Sequence, residues 1–166
     1  PESEQEQKRR TEFPRDLFPQ LVQLCHDRGL ACGASVFDEE AVNVVVESGG
    51  DFLKLATREF DNRSLFVECI QSELPIIQSY DCRRYNSREV PLVSWDDEYE
   101  TRNRRIMMVC LPVYPSGNVS MLRSFRGGGW SSHTSHWLDV VISVSRDAVV
   151  VEKHINAGKK TVRRKE

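Results

Sequence analysis

The fold prediction begins with the sequence WLDVVISVSRDAVVVEKH, residues 137–154. Valine and isoleucine crowd both of its arms, Trp137 to Val144 and Ala148 to His154, and β-branched residues favour strands. The residues between the arms, Ser145-Arg146-Asp147, have the length and polarity of a hairpin turn. The pattern therefore predicts an antiparallel hairpin.

Other short segments rich in β-branched and aromatic residues precede this hairpin, and polar turns separate them. Because no helix is predicted between successive strands, the spacing excludes a doubly wound parallel sheet and favours an antiparallel meander of about eight or nine strands. The predicted fold class is therefore α+β and β-rich, with a sandwich or a strongly bent sheet. The other segments with strand character, from which this number of strands is drawn, are Leu30 to Phe37, Val42 to Glu47, Phe52 to Ala56, Leu65 to Ile70, Pro75 to Gln78, Val90 to Trp95, Ile106 to Val113 and Val119 to Phe125.

One amphipathic helix is predicted ahead of the strands, between Asp16 and Gly29. Leu17, Leu21 and Leu24 fall on one helical face, Asp16 is a suitable N-cap, and Gly29 suits the left-handed residue that ends a helix. Two charged segments complete the pattern. Residues 57–63 fit a helical turn, and residues 97–105 fit either a charged helix or an exposed loop.

Composition divides the chain of 166 residues into three parts. Residues 1–12 lack hydrophobic side chains and predict a linker, residues 13–156 predict a single globular domain, and residues 157–166 form a basic tail. No apolar run approaches the roughly 20 residues of a membrane span, so no membrane contact is expected.

The cysteines favour a reducing compartment. Their number, five, is odd, and no two of them form a CxxC pair. This usage predicts reduced thiols in a cytoplasmic or nuclear protein rather than a disulfide framework. The five are Cys25, Cys32, Cys69, Cys82 and Cys110.

Candidate binding residues concentrate between residues 126 and 139. Three consecutive glycines permit a close backbone approach to a ligand, Trp130 and Trp137 offer stacking surfaces, and His133 and His136 offer bases or ligands. Arginine beside aromatic residues is typical of protein interfaces and of single-strand binding. Two such patches are Arg83, Arg84, Tyr85 and Arg88, and Arg123, Phe125, Arg126 and Trp130. A flexible connection between strands is the other interpretation of the glycine-rich segment.

Motifs of the common catalytic classes are missing. The sequence has no GxSxG elbow, no GxxxxGK[ST] loop, no HExxH and no GxGxxG after a strand. The chain is therefore not expected to be an enzyme, and no catalytic residue, cofactor or metal is predicted. A metal-assisted hydrolase built on His133, His136 and Asp139 is the third class considered, and finding no stoichiometric metal in the purified protein would dismiss it.

Residues 111 to 151, from a Leu-Pro segment through the Arg-Gly-Gly-Gly loop to the final hairpin, resemble part of the cap-binding domain of influenza-type polymerase subunits. The order of a helix and then a meander also resembles polo-box-like and pleckstrin-like interaction modules. The primary prediction is a non-catalytic scaffold module that binds another protein in a larger cytoplasmic or nuclear assembly. The alternative, which the first resemblance implies, is a domain that binds RNA or a cap-like nucleotide by stacking and arginine–phosphate contacts. The oligomeric state is not predicted.

Overall fold

The computed structural model describes residues 13–84, 105–113, 128–134 and 137–154. Within them the chain forms six β-strands, four α-helices and two 3-10 turns, Arg15–Leu17 and Thr57–Glu59. The strands are Gly33–Ser35 (β1), Phe52–Leu55 (β2), Ile76–Asp81 (β3), Arg105–Cys110 (β4), Gly129–Ser132 (β5) and Val150–Lys153 (β6). The helices are Phe18–His26 (α1), Glu39–Glu47 (α2), Arg63–Gln71 (α3) and Leu138–Val144 (α4).

The strands pair in parallel, and their order is the order of the chain. β1 pairs with β2 and β2 with β3, while β4 pairs with β5 and β5 with β6. α2, α3 and α4 follow β1, β2 and β5, which supplies the crossover that parallel neighbours require. Parallel strands in chain order with crossover helices are the arrangement of a (β/α) barrel. The predicted antiparallel meander of eight or nine strands is therefore wrong, and so is the exclusion of a parallel sheet.

The described residues divide into two compact units. The first unit contains residues 13–79 together with 105 and 106. The second contains residues 80–84, 107–113, 128–134 and 137–154.

Three of the predicted strands are helices. Residues 42–47 lie in α2, residues 65–70 in α3 and residues 138–144 in α4, so the last predicted hairpin is a helix followed by β6. In α2, Val42 and Val45 are buried one turn apart, a helical spacing that the high valine content obscured. Asp38, in the polar segment between two predicted strands, is the N-cap of α2 and accepts a hydrogen bond from the amide of Ala41.

The predicted N-terminal helix is confirmed as α1. It begins after the turn Arg15–Leu17 without a side-chain cap, so the predicted N-cap at Asp16 is wrong. It buries Phe18 and Val22, whereas Leu17 and Leu24 of the predicted face are exposed. Gly29 has a φ of 68°, a left-handed conformation that glycine adopts without strain and that ends the helical segment as predicted.

Each unit has its own apolar packing. The core of the first unit lies between its strands and helices α1 to α3, and it is made of Phe18, Val22, Cys32, Val36, Val42, Val45, Leu53, Leu55, Leu65, Phe66, Cys69, Ile70 and Ile76. In the second unit Trp130 of β5 is buried against Ile142 of α4, with Val109, Ala148 and Val151 around it.

Several predictions fall outside the described residues. These are the strands at 90–95 and 119–125, nearly all of the charged segment 97–105, the linker 1–12 and the basic tail 157–166. The domain boundaries stay predictions. In the described part of the chain, no helix is long and apolar enough to cross a membrane.

Candidate functional site

Polar side chains meet where β4, β5 and β6 end. The ladders place Cys110 of β4 level with Ser131 of β5, and Ser131 level with Glu152 of β6. Residues in register on neighbouring strands point to the same face of a sheet, so these three side chains share one face. Side chains alternate along a strand, and His133 and His154 follow two positions after Ser131 and Glu152. We call these five residues the carboxyl-edge cluster.

Short contacts connect the members of the carboxyl-edge cluster. The Nε2 atom of His133 lies 3.4 Å from Ser131 Oγ and 3.7 Å from Cys110 Sγ. The Ser131 hydroxyl donates to Glu152 Oε2 over 2.5 Å, and that oxygen lies 3.6 Å from Nε2 of His154. The two imidazole rings meet edge to face with centroids 4.7 Å apart. A thiol, a hydroxyl, a carboxylate and two imidazoles therefore form one continuous polar cluster.

The carboxyl-edge cluster runs from the interior to the surface. Cys110 is buried, with 1% of its surface exposed, whereas 40% of the His154 side chain is exposed. Imidazole accepts and releases a proton near neutral pH, and its two nitrogens allow it to pass a proton between partners. A ligand that reaches His154 from solvent thus meets groups suited to general acid–base chemistry.

The same residue types also ligate metals, so the cluster was a candidate metal centre. Two imidazoles face one another there, and Glu152 and Cys110 stand beside them. Among the residues that the structure describes, however, no three His, Cys, Asp or Glu side chains are placed to hold one metal ion.

Arg83, predicted to bind a ligand, lies just past the end of β3 in the same unit. Its guanidinium bonds the buried carboxylate of Asp81 through Nε and Nη2, at 3.0 and 2.7 Å to the two oxygens. The hydrogen bond from Arg83 holds the pKa of Asp81 below its usual range despite burial. Cys82 donates its amide to the carbonyl of Cys110, which places the end of β3 beside that of β4. Arg84 follows, exposed.

A second polar network occupies the opposite face of β5 and β6. The indole of Trp130 donates to Oδ2 of Asp139 over 3.0 Å, and the Thr134 hydroxyl donates to Oδ1 over 2.9 Å. The ammonium of Lys153 lies 3.8 Å from Asp139 Oδ1, and Asp139 has no exposed surface. We call Trp130, Ser132, Thr134, Asp139 and Lys153 the buried network. It engages both carboxylate oxygens of Asp139, whereas His136, which the metal-site hypothesis combined with His133 and Asp139, lies outside the described residues.

The other predicted binding residues are dispersed or lie outside the described residues. Trp130 is buried with 2% of its surface exposed, which leaves its ring no open face for a ligand. Trp137 is 58% exposed, with the ammonium of Lys153 5.5 Å from its ring centroid. Those outside the described residues are Tyr85, Arg88, Arg123, Phe125, Arg126 and His136.

A cavity of about 650 Å³ lies in the first unit. Its walls are mainly apolar, with Phe13, Phe18 and Phe37 among them and Arg15 and Arg58 as cations. The volume is in the range of small-molecule pockets, but among the described residues no cysteine or histidine lines it. The carboxyl-edge cluster is therefore the stronger candidate for chemistry.

Comparison with known families decides the class of protein. The model of the NeuB family matches residues 1–164, which is nearly the whole chain. The chain belongs to the NeuB family. Its place in this family overturns three predictions: the non-catalytic scaffold module, the RNA- or nucleotide-binding alternative, and the expectation that the chain is not an enzyme.

Relatives of this NeuB-family chain are biosynthetic proteins. An N,N'-diacetyllegionaminic acid synthase of Legionella pneumophila is 23% identical over 150 aligned positions, and the match covers 84% of this chain and 42% of that protein. The N-acetylneuraminic acid (sialic acid) synthetase of Leptospira borgpetersenii, solved in complex with citrate, superposes with a TM-score of 0.74 at 22% identity, covering 89% of this chain and 54% of the other. A spore coat polysaccharide biosynthesis protein of Bacillus subtilis superposes with a TM-score of 0.68 at 20% identity. The match covers 91% of this chain and 45% of the other. These likenesses show the fold, and the chain spans about half the length of the relatives.

Four members of the carboxyl-edge cluster were missed by the sequence analysis, which selected only His133. The available signal was the sequence Glu152-Lys153-His154 directly after three valines, because polar residues that follow a buried parallel strand collect at its carboxyl end. Once residues 148–154 were assigned to a hairpin, that position carried no functional meaning.

Proposed function

We propose that this NeuB-family chain acts in the synthesis of an acidic sugar of the class that its relatives' names give, sialic or legionaminic acid. The observation that carries the proposal is the match of the family model over residues 1–164, combined with a cluster of proton-transfer groups at the carboxyl ends of parallel strands. That edge is where enzymes with (β/α)-barrel strands place their active sites.

The chemistry of the cluster suits such a ligand. A sugar acid carries hydroxyl groups, which exchange protons with imidazoles, and a carboxylate, which cationic side chains bind. His133 and His154 supply the imidazoles, while Arg83, oriented by Asp81 past the end of β3, supplies a fixed cation in the same unit. We assign general acid–base roles to the two histidines and an orienting role to Glu152, which contacts both Ser131 and His154.

The test is complementation in a bacterium that lacks its own N-acetylneuraminic acid synthase. The chain is expressed, and sialic and legionaminic acids in the cells are measured by mass spectrometry. We expect sugar acid with the unaltered chain. With His133→Gln or His154→Gln we expect about 10²-fold less, because an acid–base group usually contributes at least that much to the rate.

A matched control is His26→Gln, which changes the same residue type in the first unit, where His26 bonds the exposed Asp51. It should leave the product level unchanged. Absence of any sugar acid with well-expressed, folded protein would refute the proposal, and equal yields from all three variants would refute the assignment of the site.

The five cysteines support a cytoplasmic or nuclear location for this activity. All of them are free thiols. Thiols persist in reducing compartments.

A further inference from the structure

Lys153 connects the ends of β5 and β6 from behind the carboxyl-edge cluster. Its ammonium donates to Ser132 Oγ over 2.7 Å, to the Thr134 carbonyl over 2.9 Å and to Thr134 Oγ1 over 3.1 Å. Only 11% of the side chain is exposed, so these contacts replace the hydration of the charge. A lysine on one strand is thereby fixed to two residues of its neighbour.

The residues that Lys153 contacts, and Lys153 itself, are sequence neighbours of the two histidines. Ser132 and Thr134 are the residues on either side of His133, and Lys153 immediately precedes His154. The ladder between the strands ends at Ser132 and Lys153, one residue before each of the two histidines. The ammonium bonds continue the connection between the strands past that point.

Asp139 keeps the ammonium in place. Burial by itself would raise the pKa of the Asp139 carboxyl, but hydrogen bonds from Ser132, Trp130 and Thr134 and the charge of Lys153 hold it below its usual range. The carboxylate is therefore ionised at neutral pH, and it lies 3.8 Å from the ammonium. The buried pair is satisfied by hydrogen bonds on both sides, the condition under which buried charges fix a unique geometry.

We propose that Lys153 is a positioning residue, which sets the edge-to-face arrangement of His133 and His154 by clamping the loop after β5 to the end of β6. Its ammonium bonds the buried network on the face opposite to the imidazoles, so its action on them is indirect. The geometric part stands on the contacts alone, whereas its consequence for catalysis rests on the proposed function.

The test compares Lys153→Met, which keeps the apolar stem and removes the charge and all three hydrogen bonds, with the unaltered chain. The readout is the nuclear Overhauser effect between the ring protons of His133 and His154, which rings with centroids 4.7 Å apart should show. We expect the effect in the unaltered chain, its loss in Lys153→Met, and its recovery in Lys153→Arg, whose guanidinium can donate to both partners. Arg146→Met, which removes a cation from the turn after α4 in the same unit, is the matched control and should keep the effect.

The sugar-acid yield of the complementation assay provides the second readout. A catalytic group misplaced by about 1 Å can lower the rate about 10²-fold. We therefore expect the sugar-acid yield of Lys153→Met to fall by up to about a hundredfold at equal protein level. If Lys153→Met does not fold, Lys153→Gln, too short to reach both Ser132 and Thr134, takes its place. A nuclear Overhauser effect between the two rings that persists in the folded variant would overturn the inference. If the effect is lost but even the unaltered chain makes no sugar acid, only the proposed function is refuted.

Discussion

Asp139 is the residue at which stability and pH are most directly coupled. Its carboxylate is fully buried, accepts hydrogen bonds from Trp130 and Thr134, and has its pKa lowered by these bonds and by Lys153 despite burial. A group whose pKa is lowered by folding stabilises the folded state above its ordinary pKa, about 3.9 for aspartate, and loses this contribution as the pH falls through the folded value.

We therefore expect Asp139→Asn to lower the free energy of unfolding by about 3–5 kcal/mol near neutral pH, the typical cost of breaking a buried ion pair. The difference from the unaltered chain should begin to shrink as the pH falls below about 4, where Asp139 is protonated in the unfolded state, and it should be smallest below the lowered pKa of the folded state. Urea unfolding of both proteins at a series of pH values measures this difference in the free energy of unfolding. Asp147→Asn, the same substitution at an exposed turn residue, should change the free energy little, and a constant difference at all pH values would contradict the assignment.

At the scale of the element, helix caps explain why the sequence pattern was misinterpreted. Asp38 and Asn62 cap α2 and α3 by accepting hydrogen bonds from the amides of Ala41 and Leu65. Both residues also occur in turns, and each precedes a segment whose valine, phenylalanine or isoleucine content favours strands. Burial on one helical face outweighed this intrinsic preference in α2, α3 and α4, so these helices were not located from sequence. The strands β1, β2, β3, β4 and β6 were.

Removing the cap of α2 by Asp38→Ala should lower the free energy of unfolding by about 1 kcal/mol. The side chain then no longer accepts the Ala41 amide, a bond that also lowers the pKa of Asp38. Asp38→Asn keeps the acceptor oxygen and removes only the charge beside Arg15. It should therefore lower the free energy of unfolding by only about 0.3 kcal/mol. Urea unfolding of both variants decides the matter, because equal losses would assign the effect to the ion pair rather than to the cap.

At the scale of the whole molecule, the candidate site depends on topology that the sequence pattern did not provide. Cys110, Ser131 and Glu152 follow one another at intervals of 21 positions. They meet because β4, β5 and β6 are parallel and in register. An antiparallel hairpin would have sent the ends of neighbouring strands to opposite edges of the sheet. His133 was therefore selected from its own loop, whereas its partners could be recognised only after the direction of the strands was known.

The five cysteines, which lie in both units, provide a prediction for the folded chain as a whole. Burial raises the pKa of Cys69 to about 12 and that of Cys82 to about 11, and burial with the neighbouring Cys25 raises that of Cys32 to about 11. Only the thiolate reacts with a disulfide reagent. At about pH 8 the native chain should therefore react quickly at Cys25, which is half-buried, and slowly at the others.

Titration with Ellman's reagent measures these rates, with and without denaturant. Cys25→Ser should abolish the fast phase, whereas Cys69→Ser, the same substitution in the core, should leave it intact. In denaturant without reductant the unaltered chain should release five equivalents, because every cysteine is a free thiol. Five equivalents released at one fast rate from the native chain would contradict the packing of both units, and fewer than five in denaturant would mean that the protein holds a disulfide.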